Sequence, residues 1–399
     1  MAFLSARAGR IKASPSNLAA QRARELQAAG RDIVNLGQGE PDFDTPDHVI
    51  EAAHKAMKDG QTRYTTVDGT AELKAAVIAK FARENALAFR TENITVGAGG
   101  KQVLFNALMA TLDPGDEVII PAPYWVSYPD MVLFAEGTPV CVPTEPANGL
   151  KLTPAELEAA ITPRTKWLLL NSPSNPSGAT YSAAELLALV PVLERYPHVW
   201  VLVDDMYEHI LFDGRRFATL AAVAPQLAAR TLTVNGVSKA YAMTGWRIGY
   251  AGGPAGLVKA MGKMQSQSTS NPSSVSQAAA VAALNGPQEI VIARCAEFEA
   301  RRDHFHPKLA AIPGVECAKP HGAFYFYPSC AGVIGKRTPQ GKVLANDEDV
   351  ALYLLEAGVS LVHGAAYGLS PYFRVSFATS MDNLEEACRR IGGAFSKLS

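Results

Sequence analysis

From residue 94 onward the chain alternates short apolar runs with amphipathic stretches, and no other feature restricts its fold as strongly. The runs at 94–96, 117–120, 139–142, 167–171, 199–203, 231–234 and 248–251 carry the β-branched and aliphatic residues of strands. Between most of them lie helical stretches such as 102–112, 182–194 and 254–264. Strand, crossover helix and strand in repetition predict an α/β fold, a mostly parallel seven-stranded sheet sandwiched by helices. Ligands of such sheets bind beyond the carboxyl ends of the strands, so the residues that follow each run are the ones to read for chemistry.

The flanks differ. Residues 16–29 read as a helix that Ser16 can cap and Gly30 ends, and a short strand at 33–36 leads into Gly37-Gln38-Gly39-Glu40-Pro41, a turn whose backbone can be approached closely. Helices follow at 47–58 and from Thr70 to about residue 86, with the aromatic-bearing loop around Tyr64 between them. After about residue 290 a long helix (289–311), an aromatic-rich strand (322–327), a helix at 347–356, strands at 359–362 and 373–377 and a closing helix from Met381 describe a small α+β unit. Domain boundaries are therefore expected near 45 and 290: a segment 1–45 packing on the small unit, a large α/β domain 46–290, and a small domain 291–399.

A formal net charge of -1, from 37 basic and 38 acidic residues with no basic block, argues against nucleic acid or an anionic membrane as partner. No stretch approaches the roughly 20 apolar residues that span a bilayer, and the run from Met1 to Leu4 is too short for a secretory signal. Five scattered cysteines, none in a C-x-x-C pair, fit reduced thiols in the cytoplasm, with no metal site. The expected partner is a small molecule.

The strand ends hold a chemically mixed set. After 94–96 comes Gly97-Ala98-Gly99-Gly100-Lys101-Gln102, opening a helix whose free N–H groups can cradle a phosphate, or else a turn that serves packing alone. Trp125 follows the next run and either stacks on a planar ring or fills core. Pro173 and Pro176 restrict the backbone around Asn175, whose amide can donate to a phenolate-type oxygen. Asp204 emerges from an apolar strand, where a carboxylate is costly unless it meets a cation. Arg374 interrupts another apolar strand and requires a carboxylate partner, structural or bound. Lys239, on a connection between two runs and eight residues before Arg247, can form a Schiff base with a carbonyl cofactor while the guanidinium pairs with a phosphate.

Ser238-Lys239 through Met243-Thr244-Gly245-Trp246-Arg247-Ile248-Gly249 resembles the cofactor-lysine motif of the class I aminotransferases of fold type I. Asn171-Ser172-Pro173-Ser174-Asn175-Pro176-Ser177-Gly178 is similar to a second signature of that family, N-x-P-x-N-P-x-G. The resemblance implies pyridoxal 5'-phosphate as cofactor and amino transfer from an L-amino acid to a 2-oxo acid, with Lys239 as catalytic base. It implies a cofactor held by Gly99, Gly100, Lys101, Trp125, Asn175, Asp204, Tyr207, Ser238, Arg247 and the Schiff base of Lys239. It further implies substrate contacts from Gly39, Lys101, Trp125, Asn175 and Arg374, and a homodimer in which Tyr64 reaches the neighbouring subunit's cofactor phosphate. The match looks closest to the bacterial-type (subgroup Iβ) aspartate aminotransferases, in which a lysine at position 101 goes with dicarboxylic substrates. Aspartate with 2-oxoglutarate is therefore the expected pair, with prephenate or aromatic substrates as the alternative and a pyridoxal-phosphate lyase behind them. The family often has Asp-Glu where this chain has Asp204-Asp205, but the second position is not the cofactor contact.

Overall fold

The structure, a computed structural model, describes residues 3–399; Met1 and Ala2, the start of the short N-terminal apolar run, lie outside the described residues. In chain order its strands are β1 (Val34–Asn35), β2 (Ile94–Gly97), β3 (Glu117–Ala122), β4 (Thr138–Pro143), β5 (Thr165–Asn171), β6 (Trp200–Asp204), β7 (Thr231–Gly236), β8 (Gly249–Gly252), β9 (Tyr325–Phe326), β10 (Val359–Ser360), β11 (Val362–His363) and β12 (Phe373–Ser376).

Strands β2 to β8 form one seven-stranded sheet in the order β2-β8-β7-β6-β5-β3-β4. The pairs from β4 across to β7 are parallel, whereas β8 runs antiparallel to both β7 and β2. All seven expected strands are present. Why they read as continuous apolar runs is visible in β5: Trp167 and Leu169 enter the core on one side of the sheet, Leu168 and Leu170 that on the other. On the first side lie the helices Gly100–Thr111 and Ala255–Ser266, through Val103, Leu104, Leu257 and Met261. On the second lies Ala183–Arg195, through Leu186, Leu189 and Leu193, its N-terminus closed by a reciprocal capping box between Ser182 and Glu185. Each such fully buried aliphatic contributes about 1.5–3 kcal/mol.

The C-terminal elements pack around a separate core that includes Phe298, Phe305, Phe324, Phe326, Phe373 and Phe377. There β11-β12-β9 form a small antiparallel sheet, and β10 pairs in parallel with β1, Val34 lying opposite Val359. The expected strand at 359–362 is thus two strands in two sheets, and that at 322–327 shrinks to Tyr325–Phe326. Such two-residue pieces are set by their long-range partners rather than by a local pattern.

Candidate active site

The carboxyl ends of β5, β6 and β7 open into a cleft of about 320 Å³. Lys101, Lys239, Arg247 and Arg374 line it as cations, Glu40 and Asp204 as carboxylates. The surplus of positive charge suits an occupant carrying several anionic groups.

Lys239 sits just past β7. Its Nζ donates to the Gly39 carbonyl at 2.6 Å, which carries the N-terminal turn across the cleft floor. Burial, with Arg374 and Arg247 nearby, lowers the ammonium to about 8 against the opposing pull of Glu40 and Asp204. Asp204 ends β6, buried at 6% exposure. Burial pushes its carboxyl above the ordinary range, while two donors stabilise the anion: the Tyr128 hydroxyl at 2.6 Å and the Met206 N–H at 3.3 Å.

Arg374 lies on β12 with 2% exposure. Its Nη1 donates to Asn175 Oδ1 at 3.0 Å and its Nη2 to the Gly37 carbonyl at 2.5 Å, but its buried Nε has no partner among the described residues. A buried guanidinium with a donor to spare fits a carboxylate ligand. Because the Asn175 oxygen is taken by Arg374, the amide nitrogen of Asn175 is the part left to donate elsewhere. The Asn175 backbone is pinned in turn by its own N–H to Asn171 Oδ1 at 2.8 Å.

Gly99 stands at φ +89°, and a Cβ there would lie 2.3 Å from Arg247 Nη2. That backbone and the guanidinium therefore form one concave surface, with the N-terminus of Gly100–Thr111 opening into it. Arg247, itself left-handed at φ +56°, is aimed by hydrogen bonds to the Thr244 and Ala98 carbonyls at 2.9 and 3.3 Å. Burial and the neighbouring Arg247 lower the Lys101 ammonium, which lies 4.8 Å above the Trp125 ring.

Of the expected residues, Gly39, Gly100, Lys101, Trp125, Asn175, Asp204, Tyr207, Ser238, Lys239, Arg247 and Arg374 all line the cleft. Gly99 stands directly behind Arg247. Tyr64 does not join them; it is 91% exposed on the surface of the chain. Tyr128, which holds Asp204, and Asn171, which holds Asn175, have no role in the sequence-based expectations; Asn171 ends β5 and opens the proline-fixed signature, whereas Tyr128 starts the helix Tyr128–Phe134 and carries no local signal. A buried carboxylate, a helix N-terminus beside a guanidinium, a half-buried indole and a depressed lysine fit a phosphorylated pyridine aldehyde.

Residues 31–391 match the family model for aminotransferases of class I and II. The chain is 59% identical over 379 residues to an aspartate aminotransferase of Rhizobium meliloti, covering 95% of this chain and 92% of that one. It is 58% identical over 392 residues to an aspartate/prephenate aminotransferase of Cereibacter sphaeroides, covering 98% of each. A crystal structure of the aspartate aminotransferase from Rhizobium meliloti superposes with a TM-score of 0.97 over 100% of both chains at 57% identity. That of Thermus thermophilus with maleate superposes at 0.91, with 42% identity over 99% of this chain and 100% of that one. The chain therefore belongs to the class I and II aminotransferases and is a pyridoxal-phosphate-dependent transaminase of fold type I.

Proposed function

We propose that this chain transfers the amino group of L-aspartate to 2-oxoglutarate in two half-reactions through the one cleft. The carrying observation is that the spare Nε of Arg374, the depressed amine of Lys239 and a second cation, Lys101, share that cleft. Arg374 and the Gly39 backbone receive the α-carboxylate, and Lys101 receives the distal one. The names of the relatives support aspartate as the donor.

When bound, pyridoxal 5'-phosphate supplies an electron sink for the charge that develops as the Cα–H bond breaks. Asp204, whose anion accepts from the Tyr128 hydroxyl and the Met206 amide, would pair with the protonated pyridine nitrogen. The N–H groups that open the helix at Gly100, with Ser238 and Arg247, would hold the phosphate, Gly99 giving the close backbone approach while its own N–H is donated to the Gly97 carbonyl at 2.8 Å; Trp125 would lie beside the ring, and Asn175 with Tyr207 would donate to its oxygen. Lys239 would take the Cα proton and return it to the cofactor's aldehyde carbon on the far side of the amino nitrogen, a transfer that needs an amine titrating near neutrality.

The reading also takes the chain as a cytoplasmic homodimer in which Tyr64 serves the partner's cleft. A tyrosine exposed to 91% and five free cysteines support it. Divisions near 45 and 290 belong to the same reading, supported by the β1–β10 pairing and the separate C-terminal core. Prephenate as acceptor is the second reading, favoured by the name of the Cereibacter sphaeroides relative.

A panel of amino-acid donors against 2-oxoglutarate, oxaloacetate, pyruvate and prephenate tests these readings through the visible absorption of the bound cofactor. Aspartate is expected to convert the cofactor fastest and 2-oxoglutarate to restore it. No spectral change with any donor would sink the transferase reading, and release of ammonia without an acceptor would favour a lyase.

A further inference from the structure

Tyr325 lies on β9, outside the cleft lining and with no exposed surface. It nevertheless touches three groups that line the cleft. Its hydroxyl is 2.8 Å from that of Tyr207, its ring lies 4.6 Å beneath the Arg374 guanidinium, and a Cβ added at Gly39 would come within 2.6 Å of its oxygen. The small sheet explains the meeting. Tyr325 is registered opposite Ser376, and Arg374 two residues along the same strand faces the same way.

Between two hydroxyls only one proton can lie on the shared axis. If Tyr207 gives its proton to Tyr325, it has none for the cofactor. If Tyr325 gives its proton to Tyr207, the Tyr207 proton is directed into the cleft and its acidity rises through the chain of bonds. Burial holds both phenols neutral: the Tyr207 phenol is raised well above its usual value and that of Tyr325 to about 12.

We propose that Tyr325 is a positioning residue whose hydroxyl, donating to Tyr207, turns the Tyr207 proton toward the ring oxygen of the cofactor while its aromatic face supports Arg374. This rests on the reading that Tyr207 contacts that oxygen.

The test is Tyr325→Phe in the holoenzyme, which removes the hydroxyl and keeps the ring beneath Arg374. Donation to the ring oxygen stabilises its anion, so weaker donation raises the pH midpoint of the cofactor's visible band. An increase of about half a unit is expected for Tyr325→Phe, and about one unit for Tyr207→Phe. The dissociation constant of succinate, a dicarboxylate without an amino group, should be unchanged in Tyr325→Phe because the ring remains. An unchanged midpoint in Tyr325→Phe beside a raised one in Tyr207→Phe overturns the proposal alone. Unchanged midpoints in both overturn the Tyr207 reading and the proposal with it. Weakened succinate binding with an unshifted midpoint would mean that the hydroxyl serves Arg374 instead.

Discussion

On the proposed reading Lys239 acts as a base near neutral pH, and burial is what brings its ammonium down to about 8. The reactive form is the neutral amine, so in the cofactor-free chain its acylation should rise with pH through a midpoint near 8. A midpoint near 10, the value of an ordinary lysine, would refute the environment described for it. Lys239→Ala should cut kcat by about 10⁴-fold or more, with borohydride no longer fixing the cofactor to the chain; mass spectrometry after reduction reads the second effect. Arg374 carries a different burden. Lysine in its place keeps the charge but not the fork, so Arg374→Lys should lower kcat/KM for aspartate by about 10- to 100-fold, mainly through KM. At this scale the sequence was informative where a residue was locally out of place: a lysine at a strand end, a carboxylate and an arginine inside apolar runs. It was silent on Tyr128 and Tyr325, whose partners stand 76 and 118 residues away and obey no local period.

Among the elements, the turn from β2 into Gly100–Thr111 and the helix Ala71–Asn85 make separate demands on the chain. Gly99→Ala would force a side chain into the φ +89° backbone and against Arg247. Cofactor affinity should fall by about tenfold or more, read by equilibrium dialysis, at a stability cost of about 1 kcal/mol. The helix buries Lys80 completely, its Nζ bonded to Glu208 and, at 2.7 Å, to Asn85 Oδ1. Burial alone would raise the Glu208 carboxyl, yet Lys80 and His209 hold it below its ordinary value. Glu84, Glu208 and His209 converge as metal ligands do, but the Lys80 ammonium is bonded into the group, making it an ion-pair cluster. Lys80→Met would leave Glu208 buried and uncompensated, so denaturant unfolding should show a loss of about 3–5 kcal/mol. The strands of the large sheet were legible because both of their faces are buried, which makes each an unbroken apolar run. Among the C-terminal strands β12, four residues long, was legible at 373–377, whereas β9, β10 and β11 were blurred because two residues cannot display a period of two.

For the whole molecule, the exposed Tyr64 leads to a test by mixing. A hybrid dimer of a Lys239→Ala chain and a Tyr64→Ala chain contains one cleft with both defects and one with neither, provided Tyr64 serves the partner. Activity should therefore reappear when the two inactive or weakened proteins are mixed and refolded together. If Tyr64 served its own chain, every cleft in the hybrid would carry one defect and nothing would be regained. The reversal of β8 bears on the whole molecule in another way. A parallel successor to β7 would have required a helical crossover of a dozen or more residues. The antiparallel return instead confines Lys239 and Arg247 to the 12 residues between Gly236 and Gly249. Both ends of that loop are clamped in register, Gly236 against Gly249, and Gly249 in turn against Gly97. Closing so short a loop costs little chain entropy. The backbones that carry the amine and the guanidinium, with Ser238 and Thr244 of the same loop, thus reach their relative positions through a local event, while Asp204, Asn175 and Arg374 are brought to them from other parts of the chain.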